Sequence, residues 1–113
     1  MSRRNALTTS TPYAVEQAIK ALGTNLRIAR LRRNLTLAEV AEKIGVSRYV
    51  VAHAEGGKVS TGIAVYVGLL WTYGLLDQLV EVADPAMDKE GLALSLAHER
   101  IHARRPDVLD NDF

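Results

Sequence analysis

His98-Glu99-Arg100-Ile101-His102 has the spacing at which two imidazoles one helical turn apart bind zinc and the intervening glutamate serves as base. Catalysis by such a site also needs a third protein ligand and a walled substrate cleft. Eleven residues follow His102, and the flanks are charged. A solvated helix end is therefore the expected reading, ahead of adventitious metal binding and of zinc hydrolysis. The chain has no cysteine, which removes thiol nucleophiles, disulfides and cysteine-ligated zinc. Ser, His and Asp are present without a G-x-S-x-G elbow, and Gly56-Gly57-Lys58 lacks the upstream glycine and the Ser/Thr of a phosphate loop. No enzyme, no cofactor and no metal are expected.

The remaining chemistry is electrostatic. The 113 residues carry 14 basic and 13 acidic side chains, a net charge of +1. Residues 1–58 hold ten basic and four acidic side chains, a net of +6, and residues 59–113 hold four and nine, a net of −5. A basic front half suits a polyanion. Arg27, Arg30, Arg32 and Arg33 are either solvated helix surface or phosphate contacts. Arg3 and Arg4 are either solvated or reach a minor groove from an arm.

Along the whole chain, hydrophobic residues make up 48% and aromatics only 5%, so the core must be aliphatic, which favours helices. No apolar run reaches the ~18 residues that would span a membrane, and the stretch 6–13 is too polar for a signal-peptide core; a cytoplasmic protein is expected. Residues 1–11 read as a flexible arm. Thr11-Pro12 reads as a cap and first position for a long helix whose apolar face is Val15, Ile19, Leu22 and Leu26, with Gly23 as a break or kink. Thr36 to Glu39 is a capping box, followed by Leu37, Val40, Ala41 and Ile44 on one face. Gly45 can end that helix and Ser47 can cap the next, which runs to Gly56-Gly57. Ser60-Thr61 opens a helix that is apolar over much of its circumference, and Asp88 can cap a last one. Two short helices joined by about three residues, with small Ala41 at the crossing and Val46, Val51 and Ala54 as apolar contacts, have the anatomy of a helix-turn-helix.

The segments LGTNLRIARLRRNLTLAEVAEKIGVSR, HAEGGK and YGLLDQL resemble the XRE family of helix-turn-helix regulators. The long first helix with Pro12 and GLLDQLVEVADP resemble, more narrowly, HipB-like antitoxins encoded beside HipA-type kinase toxins. The resemblance implies an all-α, lambda-repressor-like domain of four to five helices over residues 12–84, with a C-terminal helix and acidic tail over 85–113. It implies that residues 47–56 form the recognition helix in the major groove. Ser47, Arg48, Tyr49, Ala52 and His53 would then face DNA, joined by Arg27, Arg33 and Thr36. Leu37 departs from the glutamine that many members carry at the start of the preceding helix, so DNA binding could have weakened in favour of a partner.

The expected function is a transcriptional repressor acting as a homodimer on a double-stranded operator. Its expected dimer surface is Tyr66, Leu69, Leu70, Trp71, Leu75, Leu76 and Leu79, unless these only fill the core. The narrower resemblance adds autoregulation and a HipA-like kinase toxin as partner, with the tail ending in Phe113 as a pocket ligand or a passive extension. A stand-alone regulator and an interaction adaptor are the alternatives.

Overall fold

The computed structural model describes residues 6–104. Among them every regular element is helical: α1 (Ala6–Thr9), α2 (Tyr13–Arg32), α3 (Leu37–Ile44), α4 (Arg48–Glu55), α5 (Ile63–Thr72), two 3-10 turns (Leu76–Glu81 and Pro85–Met87) and α6 (Lys89–Arg104). The chain divides after Leu79 into two compact units. Arg3, Arg4 and the tail with Phe113 lie outside the described residues.

The core of the first unit takes one fully buried aliphatic residue from each of four helices: Leu26, Val40, Val51 and Leu69. Ala29, Ala41, Ala54, Tyr66, Leu70 and Tyr73 close around them. Alanines at these positions let α3 and α4 approach closely, and burial of each large side chain contributes about 1.5–3 kcal/mol.

The start of α3 is the reciprocal capping box: the Glu39 amide donates to Thr36 Oγ1 at 3.1 Å, and the Thr36 amide donates to Glu39 Oε1 at 2.9 Å. These bonds to Thr36 hold the Glu39 carboxyl below the usual carboxylate range. At the other end Gly45 adopts φ 75, a left-handed conformation that a side chain would strain. The Val46 amide then reaches back to the Ala41 carbonyl at 3.0 Å, which closes the turn before Ser47 caps α4.

Three local expectations are corrected. Thr11 does not cap α2; its hydroxyl donates to the Leu7 carbonyl of α1 at 2.5 Å, and Pro12 is itself the N-cap residue. α2 runs through Gly23 without a break. The N-cap of α5 is Gly62, and Ser60 and Thr61 lie in the preceding turn.

Candidate nucleic-acid interface

α4 divides cleanly into two faces. Val51 and Ala54 have no exposed surface, while Arg48, Tyr49, Ala52 and His53 are exposed. The exposed positions recur at i, i+1, i+4 and i+5, one side of a helix. Tyr49 leaves 62% of its surface open, and the Arg48 guanidinium lies 5.3 Å from its ring centroid, a cation–π contact that holds both at the start of α4. Ser47 accepts a hydrogen bond from the Val50 amide at 3.3 Å. The remaining amides at this end are available to an anionic oxygen.

The four arginines Arg27, Arg30, Arg32 and Arg33 are distributed to different tasks. Arg30 is buried. Its Nε donates to Glu55 Oε2 at 2.7 Å, one terminal nitrogen donates to Glu55 Oε1 at 3.0 Å, and the other donates to the Leu35 carbonyl at 2.9 Å. It is thus neither solvated surface nor a phosphate ligand; it ties α2 to the last residue of α4. The Glu55 carboxylate raises the Arg30 pKa above its ordinary value. Arg33 donates to the Ala29 carbonyl at 2.9 Å and lies 5.6 Å over the Tyr73 ring. Arg27 is exposed one turn beyond Gly23, and Arg32 is exposed on the side of α2 away from the core. The buried Tyr73 hydroxyl has no hydrogen-bond partner among the described residues; burial, and secondly the Glu55 charge, push its pKa up to about 12.

Gly23 explains how α4 comes so near α2. A Cβ at this position would lie 2.5 Å from the Ala54 carbonyl oxygen and 2.6 Å from that of Glu55. Only a hydrogen fits between the two backbones.

Sequence reasoning passed over the loop after α4. Val50, His53, Lys58, Ser60, Thr61, Gly62 and Val65 line a cleft of about 260 Å³. This places an ammonium and two hydroxyl side chains beside His53. The signal was present as the run GGKVSTG, basic and hydroxyl-rich directly after the α4 stop. Leu37, at the first position of α3, is partly buried against the core, so it serves packing where a polar residue would face outward. Thr36 is exposed, with its hydroxyl engaged in the cap.

Of the residues expected at a dimer surface, Tyr66, Leu69 and Leu70 are buried inside the unit, and Leu75 and Leu79 pack partly against its core. Trp71 and Leu76 remain open at 55% and 37%. The Trp71 ring carries the Lys43 ammonium 5.3 Å from its centroid. In α6 the His98 and His102 rings lie 4.1 Å apart, and among the described residues no group of three or more His, Cys, Asp or Glu gathers as a metal site. No described helix is long and apolar enough to cross a membrane.

Residues 21–83 match the family model described as a helix-turn-helix domain. No curated protein and no solved structure matches the chain.

Proposed function

The chain belongs to the helix-turn-helix domain family, and on that premise we propose that it is a sequence-specific, DNA-binding transcriptional repressor. It acts in the cytoplasm as a homodimer on a two-fold operator. The observation that carries this reading is the exposed row Arg48, Tyr49, Ala52 and His53, mounted on a helix that buries Val51 and Ala54 on its other side. Arg48 offers a fork of donors suited to the two acceptors of a guanine edge, and Ala52 is small enough to let a thymine methyl approach. Lys58 and Arg27 supply charge for the phosphate backbone. A second copy doubles the sequence read, since one such helix covers a single half-site.

An operator selected from a random duplex pool tests this directly. Binding followed by fluorescence anisotropy should weaken steeply between low and moderate salt, because each neutralised phosphate releases counterions. Arg48→Ala should lower affinity for that operator by roughly 5- to 100-fold and leave the melting temperature unchanged, since the side chain is exposed. A flat salt response, or an Arg48→Ala protein that binds the selected site as well as the parent, sinks the reading.

The narrower resemblance supports a finer role, an antitoxin that autoregulates its operon and neutralises a HipA-like kinase toxin. Its support is the long first helix and the segment GLLDQLVEVADP. Co-expression with the product of the adjacent reading frame should yield a stoichiometric complex that lacks kinase activity. A neighbour unrelated to kinases leaves the stand-alone regulator in its place.

A further inference from the structure

α6 has sixteen residues, none of them buried. An isolated helix of this length is marginal in water, so its order calls for a partner. One line along α6 reads Glu90, Leu94, Ala97, Ile101 and Arg104, at spacings of four, three, four and three. That is a heptad seam, with apolar residues in the middle and opposite charges at the two ends. Leu94 and Ile101 leave 64% and 53% of their surface open.

The seam is complementary to itself in one direction only. Laid antiparallel on a second copy and centred on Ala97, it sets Glu90 of each chain against Arg104 of the other. Leu94 then falls beside Ile101 on both sides of the two-fold axis. Laid parallel, it sets glutamate on glutamate and arginine on arginine. The small Ala97 at the centre permits a close crossing, near the lower end of the ~8–10 Å interaxial range. The other apolar stripe, Leu92 and Leu96, is interrupted by Glu99, and its small residue, Ala103, lies at one end rather than at the centre.

We propose that α6 is a self-association element, pairing antiparallel with α6 of a second copy through Leu94, Ala97 and Ile101 and locked in direction by Glu90 and Arg104. The seam is about 21 Å long, less than a standard stable interface uses, so the pairing is concentration-dependent. It rests on α6 alone and stands or falls apart from DNA binding.

The chain's lack of cysteine makes single-cysteine full-length variants a clean test. Under copper-phenanthroline oxidation, Ala97→Cys should cross-link to itself, because the two positions meet at the axis within disulfide reach. Glu90→Cys should not cross-link to itself, and should do so when mixed with Arg104→Cys. In sedimentation equilibrium, Arg104→Glu should weaken self-association roughly tenfold, and Glu90→Arg combined with Arg104→Glu should restore it. Circular dichroism of each variant verifies that the helices persist. A Glu90→Cys homodimer would show parallel pairing and overturn the proposal. So would a Leu92→Cys with Leu96→Cys cross-link in the absence of one at residue 97. A chain that stays monomeric and uncross-linked at every concentration assigns the seam to a different partner and overturns it equally.

Discussion

Glu55→Gln should destabilise the helix-turn-helix unit by about 3–5 kcal/mol, the cost of leaving a buried guanidinium without its counter-charge. Both side chains of the pair are almost fully removed from solvent, at 9% and 6% exposure. The amide keeps one acceptor for Arg30 and loses the charge and one arm of the fork. A unit of this size has about 4–12 kcal/mol in total, so the variant would retain little margin at room temperature. Urea unfolding followed by circular dichroism measures the loss. Replacing both partners, Arg30→Met with Glu55→Leu, should recover most of it, because neither charge is then buried alone. A Glu55→Gln midpoint corresponding to a loss under about 1 kcal/mol would mean that the pair is not holding α2 to α4. The pKa of Arg30 is raised above its ordinary value by the Glu55 carboxylate, so the contribution of its charge is fully present below the ordinary arginine pKa and is lost only as the pH rises into strong alkali.

Gly23→Ala carries the second large effect, with a sign opposite to helix propensity. In a helix interior this change ordinarily gains about 1 kcal/mol. Here the new Cβ would sit 2.5 Å from one backbone carbonyl oxygen and 2.6 Å from another. Backbone cannot rotate aside as a flexible side chain can, so α4 must retreat from α2. The retreat opens the Arg30–Glu55 fork and loosens the seats of Val51 and Ala54. Overpacking of this kind costs about 1–3 kcal/mol, and with two backbone contacts under 3 Å the upper end applies and outweighs the propensity gain of about 1 kcal/mol. The net loss of about 1–2 kcal/mol is a fall of roughly 4–16 °C in melting temperature for a domain this size. Operator affinity should fall as well, at temperatures where the protein is still folded, because the exposed row on α4 moves with its backbone. Thr24→Ala, one residue away and exposed, should stay within about 0.5 kcal/mol of the parent. A Gly23→Ala protein at least as stable as the parent would remove the close approach from the account.

The parts of the fold that were readable in advance are those whose causes lie within one or two turns of chain. Thr36 and Glu39 satisfy each other's amides across three residues. Gly45 sits where a left-handed residue must end α3, and Ser47 caps α4. Val51 and Ala54 share a face because helical periodicity puts them there. The same local logic separated Ser47, Arg48, Tyr49, Ala52 and His53 from the buried side of α4.

Residues whose role depends on a distant segment were misread or left open. Gly23 looked like a helix breaker, since nothing near it in sequence reveals that the carbonyls of residues 54 and 55 press against it. Arg30 looked like one of four surface cations until Glu55, 25 positions away, met it in the interior. Tyr66, Leu69 and Leu70 read as equally suited to a core or to a partner, because an apolar side chain carries no mark of which surface will cover it. By itself, then, the order of residues determined where helices start, stop and turn, and which side of α4 stays outside. Tertiary packing alone decided which arginine is a tie and which a surface charge, and why a glycine stands in the middle of α2. Hydrogen bonds and caps act over a few residues of backbone, whereas burial, ion pairing and close approach exist only once the helices are in contact.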